Sequence, residues 1–297
     1  MATLKGQNFR IIQYIGPEWN VIAMSTSCTV TLTANTESST HKDVVGNASR
    51  SSVVSKSWSV QVESLYVGDI TYFINAAKNG TKFKLAWDET DVSDNQSPEN
   101  ADFSRTGEAY LTDFTVSFND RENSVKQLQF TGSGPLSTEG LSTVAVDIDA
   151  FTKGQFVRLF LGSDNTATPS KVIAAAKQLS LHIAMSLESA TTKDTATDYV
   201  VNEPTELSYD ISTNALVRSN DVISSAVLGQ KLPDLETIFE SGTPVKWEIA
   251  NVSGANNRTK GTRIVGGSVI VTQLTINAPD RTIVDYTAQL TGYGALT

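Results

Sequence analysis

The side chains able to do chemistry are few in this sequence, and they form no catalytic pattern. It has two histidines, His41 and His182, and one cysteine, Cys28. Cys28 lies at an apolar position of an alternating stretch, which favours a buried structural thiol over a nucleophile. His41 lies in a polar stretch and His182 at a polar position of an alternating stretch, and we interpret both as solvated. Nucleophile-elbow, zinc-protease and phosphate-loop motifs are absent from the sequence. We therefore expect no enzyme.

One enzymatic alternative stays open. Acidic residues are plentiful, and a pair of carboxylates flanking a sugar bond is enough for glycoside hydrolysis. The separation of such a pair is a property of the fold, so the sequence does not decide it. A glycoside hydrolase is a weaker candidate than a structural assembly protein or a binding module.

Charges are distributed unevenly between two matched segments. "DETDVSDNQSPENAD" begins at Asp88 and holds no base, whereas "NVSGANNRTKGTR" ends at Arg263 and holds no acid. The default interpretation is two solvated loops. The sharper hypothesis is that the acidic loop of one copy meets the basic loop of another. The residues carrying it are Asp88, Asp91, Asp94, Arg258, Lys260 and Arg263.

Metal and cofactor sites are not expected. Counted from Asp88, the spacing of a calcium loop fails, because Val92 falls at the fifth position and no glycine follows. The net charge of −9 and the lack of a basic stretch exclude a nucleic-acid footprint. DNA is compatible only as a passing cargo, since an acidic wall repels phosphate. No run of about 18 apolar residues predicts a membrane span, and the single cysteine excludes an intramolecular disulfide.

The sequence repeats itself across its two halves. Seven short segments recur in the same order, at offsets between 148 and 162 residues. "KGQNFRI" begins at Lys5 and "KGQFVRL" at Lys153; "TGSGPL" begins at Thr131 and "TGYGAL" at Thr291. Drifting offsets of this kind arise from loop insertions and deletions. The sequence therefore predicts a tandem duplication, with one domain in residues 1–140 and the second in residues 141–297.

Apolar and polar residues alternate in both copies, which predicts half-buried antiparallel strands. The apolar positions of one strand are Cys28, Val30, Leu32 and Ala34 in the first copy, and Leu179, Leu181, Ile183 and Met185 in the second. Helical spacing and terminal glycines predict one helix per copy, over 69–80 and 233–242. The expected fold class is mainly β with one short helix per repeat, arranged as two tandem small β-sandwich or barrel domains.

A long polar stretch separates two strands in each copy, after Ala34 and after Met185. The first contains "ESSTHKD" and the second "ESATTKD", with five chemical identities kept at an offset of 151. Loops of this length in a compact domain are usually functional. We expect both to act as arms that order on neighbouring domains. The residues expected to supply the contacts are Glu37, Lys42, Asp43, Glu188, Lys193 and Asp194.

Several features together resemble one known family. They are the long Ser/Thr-rich arm, "SKSWSVQVESL" from Ser55, the short helix, and "GEAYLTDFTVSFNDRENSVKQLQFTGSGPL" from Gly107. This layout resembles the tail tube (major tail) proteins of long-tailed bacteriophages. The resemblance covers both copies, through short motifs of low individual specificity.

The resemblance implies a structural virion protein that forms rings, which stack into a hollow tube for genome delivery. Single-domain members form six-membered rings, so two domains per chain imply three chains with pseudo-sixfold symmetry. The implied partners are the chain itself and other tail proteins, such as terminator, tape measure and baseplate or tip components. The implied location is the virion tail, assembled in the bacterial host cytoplasm.

Two alternatives remain beside the tail tube. One is the inner tube of a contractile injection or secretion machine, which shares the fold. The other is a tandem β-sandwich module for carbohydrate binding or adhesion. That module predicts an aromatic platform on an exposed face.

Overall fold

The chain forms a mainly β structure, as predicted. The computed structural model describes residues 6–15, 18–22, 25–39, 50–66, 70–90, 104–138, 141, 144–145, 152–173, 175–192, 195, 197–217, 232–253 and 259–297. These residues contain fifteen strands, two α-helices and two short 3-10 helices, Gly6–Asn8 and Gly154–Phe156. The prediction of one short helix in each half is confirmed.

The elements follow the chain in two similar series. The first contains β1 (Phe9–Ile15), β2 (Glu18–Val21), β3 (Ser25–Ser39), β4 (Arg50–Leu65), α1 (Thr71–Lys78), β5 (Phe83–Glu89), β6 (Arg105–Asn119) and β7 (Val125–Gly132). The second contains β8 (Val144–Ala145), β9 (Val157–Leu161), β10 (Lys171–Val172), β11 (Ala176–Ser189), β12 (Asn202–Leu216), α2 (Leu232–Ser241), β13 (Val245–Ser253), β14 (Thr259–Asn277) and β15 (Asp285–Gly292).

All fifteen strands belong to one continuous sheet. The second half runs β10-β9-β13-β14-β15-β12-β11, and β11 then pairs with β6 of the first half. β6 also pairs with β5, from which the sheet continues through β1 and β2 to β8. β6 pairs in addition with β7, from which the sheet continues through β4 to β3. Every strand pair is antiparallel except β2 with β8. The two halves therefore share strand ladders rather than closing as two separate sheets.

The β6–β7 and β14–β15 hairpins match in detail. Thr112 donates to the Gln129 carbonyl at 3.2 Å, and Thr272 donates to the Gln289 carbonyl at 3.3 Å. Each hairpin has an irregularity at that threonine. The turns contain Arg121 at φ 61° and Arg281 at φ 58°, a left-handed conformation that few non-glycine residues adopt. These shared details match the segments that repeat in the sequence; the division into domains 1–140 and 141–297 stays a prediction.

The core lies against one face of the sheet. Of the apolar positions expected from alternation, Leu179, Leu181, Ile183 and Met185 are buried, whereas Cys28 and Val30 are half-buried and Leu32 and Ala34 are exposed. The core also includes Trp58, Val60 and Phe130 of the first half, and Tyr209, Ile211 and Leu290 of the second. Helix α1 covers this core, with Phe73 stacked on Phe83 at 6.0 Å and on Phe114 at 6.3 Å. Burial of such large side chains is the main stabilising contribution to folding.

The helix ends follow the predicted glycines. Gly80 has φ 58° and Gly242 has φ 59°, so each ends its helix in the left-handed conformation that glycine adopts without strain. At the start of α1 the N-cap position is Ile70, which makes no side-chain capping bond. The expected cap, Asp69, lies outside the described residues.

Paired strands extend into both polar stretches expected as loops, which corrects the prediction for those residues. β3 and β4 pair from Ser25 with Ser64 out to Ser39 with Arg50. β11 and β12 likewise pair out to Ser189 with Asn202. The Ser, Thr and Asn residues sustain main-chain ladders, because a strand exposed on both faces needs no apolar side chain. Each polar stretch is therefore a long β-hairpin, called arm one (35–57) and arm two (186–207) below.

Candidate assembly interfaces

The junction between the halves is an antiparallel pairing of β11 with β6. It runs from Gln178 opposite Asn119 to Ala184 opposite Asp113. On the core side, Ile183 lies opposite Phe114, and Leu181 lies opposite Val116. All four side chains are at most 1% exposed. The junction thus combines a main-chain ladder with apolar burial, the two contributions that strand addition uses.

The opposite face of the junction carries a charged group of three side chains. His182 lies 2.8 Å from Asp210 of β12 through Nδ1, and 2.9 Å from Asp113 of β6 through Nε2. Ionised carboxylates only accept hydrogen bonds, so donation from both ring nitrogens requires the imidazolium. Burial lowers the pKa of His182, but the hydrogen bonds that its ring donates to Asp210 and Asp113 outweigh this effect and leave the pKa above its usual value.

His182 is therefore not the solvated histidine that the sequence suggested. It lies on the polar face of its strand, as expected, but it joins both halves through Asp113 and Asp210. The sequence missed this group because its members come from three separate strands. The sequence does show that one histidine and two aspartates occupy polar positions of alternating strands. It does not show the order of those strands in the sheet, which is what brings the three side chains together.

Arm two lies on the first half of the chain. Near its tip, the Lys56 ammonium contacts the Asp198 carboxylate at 3.3 Å. The Lys56 amide donates to the Asp198 carbonyl at 2.7 Å, and Val200 donates to the Lys56 carbonyl at 2.9 Å. Gly134 donates to the Val200 carbonyl at 2.9 Å. Main-chain bonds carry most of this contact, so it depends weakly on side-chain identity.

A second set of bonds anchors the base of arm two. Asn202 donates from its amide to the Ser133 hydroxyl at 3.0 Å, and from its side chain to the Gly132 carbonyl at 2.9 Å. Close by, Pro204 packs so tightly on Gly80 that an added Cβ there would overlap its ring. Arm two is thus fixed along its length to β7, β4 and the end of α1.

The strands that correspond to this junction elsewhere in the chain have unpaired edges. Among the described residues β3, the counterpart of β11, pairs only with β4, and the outer part of β14, the counterpart of β6, pairs only with β15. Leu32, the counterpart of Ile183, is 63% exposed, and Ile276, the counterpart of Val116, is 50% exposed. Unpaired edges with exposed apolar residues invite pairing with another chain.

The residues predicted to supply arm contacts are only partly described. Glu37 lies exposed on arm one opposite Ser52, and Glu188 lies exposed on arm two opposite Glu203. The other four predicted arm residues, Lys42, Asp43, Lys193 and Asp194, lie outside the described residues. Their role in contacts between copies stays a prediction.

The described residues of the two charged segments lie on strands and have partners within the chain. Asp88 is buried in β5, where its carboxylate accepts from the Glu89 amide at 2.7 Å and from the Ser104 hydroxyl. Lys260 and Arg263 lie on β14, and both contact Glu248 of β13, Arg263 at 3.7 Å. The basic side chains therefore have a partner within their own half.

The remaining members of the charged segments, Asp91, Asp94 and Arg258, lie outside the described residues. Pairing of the acidic and basic segments between copies stays a prediction.

The candidate catalytic side chains do not form a site among the described residues. Cys28 is only half buried, contrary to expectation, because no strand covers β3 on its outer edge. Burial raises the pKa of its thiol, and Arg10 partly offsets this, so the unreactive thiol dominates at neutral pH. His41 lies outside the described residues. In the described part of the chain, no group of three or more His, Cys, Asp or Glu side chains has an arrangement that could hold a metal ion.

Two further features bear on the alternatives. All four tryptophans are buried, the most exposed being Trp19 at 7%, so none contributes to an exposed aromatic platform. Across the described ranges, no helix combines the length and apolarity that crossing a membrane requires.

Comparison with known proteins gives a likeness in fold only. No protein-family model matches the chain, and no curated protein matches it either. Among solved structures it is similar to a chain from the tail of an empty gene transfer agent particle, obtained with helical refinement and C6 symmetry. That match has a TM-score of 0.38 and 12% identity, covering 49% of this chain and 97% of the other.

A chain from the virion of a native gene transfer agent particle is similar to the same extent. Its TM-score is 0.37 at 13% identity, and it covers 49% of this chain and 97% of that chain. Likeness at this level carries no argument about function.

Proposed function

We propose that this protein is the repeating subunit of a phage-type tail tube. Copies join head to tail into closed rings, and the rings stack into a hollow tube through which a genome passes. The observation that carries the proposal is the β11–β6 junction, together with the unpaired edges of its two counterparts, β3 and β14.

The junction within the chain supplies the geometry for a junction between chains. β3 of one copy takes the place of β11, and the outer part of β14 of the next copy takes the place of β6. Leu32 then lies opposite Leu274, as Ile183 lies opposite Phe114. Each copy offers one edge of each kind, so the contact is heterologous, and repetition produces either a closed ring or a filament.

The exposure of the counterpart residues fits an unfilled interface. Leu32 and Ile276 expose apolar surface, whereas the equivalent residues of the junction within the chain, Ile183 and Val116, are fully buried. Covering them removes apolar surface from water, which favours association. Alternate residues on these strands are polar, so pairing buries the apolar set without burying the polar one.

The polar face of the sheet is the proposed wall of the lumen. Across it, Ser117 and Ser180 hydroxyls lie 3.4 Å apart, and Gln289 donates to Ser212 at 3.1 Å. The counterpart residues on β3 are Thr29, Thr31 and Thr33. The same face carries Asp113, His182 and Asp210. Hydroxyl, amide and carboxylate groups do not hold phosphate tightly. Such a face suits DNA as a transient cargo.

Arm one is proposed to act on the next copy as arm two acts on its own first half. Arm two crosses the junction and binds Lys56 and the 132–134 segment. The corresponding surface in the second half includes Gly292, Tyr293 and Gly294, and Tyr293 is 50% exposed. An arm from the neighbouring copy covers this surface in the proposed ring.

The same subunit suits the inner tube of a contractile machine, whose difference is a surrounding sheath. Three chains per ring, with pseudo-sixfold symmetry, is the arrangement that the duplication favours. The tandem carbohydrate-binding alternative has less support, because all four tryptophans are buried.

Electron microscopy of the purified chain tests the proposal. Wild-type protein at high concentration should show rings or stacked rings in negative stain. Leu32→Glu should leave only unassembled chains, because it places an unpaired charge at a desolvated contact. Phe239→Glu is the matched control: it changes a side chain of α2 that is 45% exposed and should leave individual rings intact. A wild-type chain that remains monomeric across concentrations and salt would contradict the proposal.

A further inference from the structure

A groove at the start of the first half is open to solvent. It lies between the 3-10 helix Gly6–Asn8, the first residues of β1, and the beginning of β3. Its volume is about 590 Å³. The residues that line it are Gly6, Gln7, Phe9, Arg10 and 25–28. Two segments of the chain, 6–10 and 25–28, therefore form the walls of the groove.

The corresponding groove in the second half is filled. Its lining includes Gly154, Arg158 and 176–179, the counterparts of Gly6, Arg10 and 25–28. Phe118 of β6 and Asp120 of the following turn also line it, and only about 10 Å³ remains. The same framework thus encloses a hairpin turn in one half, whereas no described residue fills it in the other.

Main-chain hydrogen bonds hold that turn in the filled groove. The Asp120 amide donates to the Lys177 carbonyl at 2.8 Å, and the Gly154 amide donates to the Glu122 carbonyl at 3.0 Å. Gly154 lies so close to the backbone of Phe118 and Asn119 that any side chain there would collide with them. The contact therefore requires glycine on the groove side and little else from the sequence.

The chain has a second turn of the same shape with no such contact. In the β14–β15 hairpin, Thr282 donates to the Pro279 carbonyl at 3.4 Å, as Glu122 donates to the Asn119 carbonyl at 3.4 Å. Arg281 has φ 58° and Arg121 has φ 61°. Residues 278–283 are exposed throughout, and Ile283 reaches 69%.

We infer that the open groove is a socket for the 278–283 turn of a second copy of this chain. In the docked pair the Asp280 amide donates to the Thr26 carbonyl, and the Gly6 amide donates to the Thr282 carbonyl. Pro279 has no amide hydrogen, so the adjoining strand ladder ends at Ala278. The inference rests on the proposed head-to-tail ring and identifies a contact beyond the paired strand edges.

Two matched glycine substitutions test the socket. An added Cβ at Gly6 meets nothing within 4 Å, whereas one at Gly154 meets the backbone of the other half. Gly6→Val should therefore melt at the wild-type temperature but associate about tenfold to a hundredfold more weakly, because the docked turn leaves no room for it. Gly154→Val should instead lower the melting temperature of the isolated chain.

The readouts are sedimentation velocity for association and circular dichroism for melting, with Gly6→Ala as an intermediate step in size. Association that weakens from glycine to alanine to valine, at constant melting temperature, supports the socket. If wild type forms rings and Gly6→Val forms them equally well, the socket is wrong while the proposed function stands. If wild type forms no rings at all, both are wrong.

Discussion

Replacing Leu32 by alanine separates the stability of the chain from that of the ring. Burying a leucine side chain fully is worth about 1.5–3 kcal/mol, and Leu32 is 63% exposed. About two thirds of that value is therefore still to be gained at the junction, roughly 1–2 kcal/mol for each pair of chains. Association should weaken about tenfold per junction, while the unfolding free energy of the isolated chain changes little.

The counterpart substitution provides the contrast. Ile183 is 1% exposed at the junction already formed within the chain, so Ile183→Ala should cost about 2–5 kcal/mol of unfolding free energy. Chemical denaturation measures this cost, and sedimentation velocity measures association. Thr31→Ala, on the opposite face of β3, controls for changes on that strand. Equal losses of chain stability at Leu32 and Ile183, with association unaffected, would refute the reasoning.

The charges of the structure give three further predictions. Because the folded pKa of His182 is raised, its contribution to stability is fully present below the unfolded pKa, about 6.5, and is lost as pH rises through the folded pKa. His182→Gln should therefore make the melting temperature depend less on pH. A pH profile of melting that is the same in the variant and the wild type would contradict this role of His182. The exposed pair of Lys56 and Asp198 should have a coupling energy of only about 0.2–1 kcal/mol in a double-mutant cycle. A larger coupling energy would mean that side chains, rather than main-chain bonds, hold arm two in place. Lys260→Glu should lower the melting temperature, because it places a like charge beside Glu248, which is 15% exposed. An unchanged melting temperature would show that the contact between Lys260 and Glu248 does not stabilise the chain.

Alternation and internal repetition were sufficient to predict much of the fold. The period of two identified the strand around Leu181 and its counterpart around Val30. Terminal glycines located the ends of both helices, because Gly80 and Gly242 supply the left-handed conformation. These are local signals, in which a few neighbouring residues determine the conformation.

Burial within those strands was not predictable from the same pattern. Leu32 and Ile183 occupy equivalent positions, yet one is 63% exposed and the other 1%. The difference arises because β6 covers β11, and this pairs residues that lie far apart in the chain, such as Ile183 with Phe114, so that no local pattern encodes it. The same long-range pairing brings Asp113 to His182. Asp88 was misread for a related reason: β5 pairs with β1 and places Asp88 opposite Arg10, and its buried carboxylate accepts hydrogen bonds from Glu89 and Ser104.

The arms illustrate both limits. Their conserved "ES…KD" offset pointed to a shared role, but their polar composition suggested loops rather than paired strands. The contacts of arm two come from Asp198, Val200 and Asn202, all beyond the repeated heptapeptide. Main-chain bonds dominate those contacts, so side-chain identity gave little indication of them.

A single introduced cysteine tests the head-to-tail ring most directly. Within the chain Leu179 lies opposite Phe118, and their counterparts at the proposed interface are Cys28 and Ala278. Opposed residues on antiparallel strands have Cα atoms about 4.5–5.5 Å apart, within the range that a disulfide spans. Ala278→Cys, oxidised at alkaline pH because burial raises the pKa of the Cys28 thiol, should therefore cross-link neighbouring copies.

Denaturing, non-reducing electrophoresis reads the result. The account predicts covalent dimers and trimers, with the closed trimer as the largest product, and no cross-linking when Cys28→Ser is added. A chain that stays monomeric on the gel, under conditions where rings are visible by microscopy, would contradict the proposed junction.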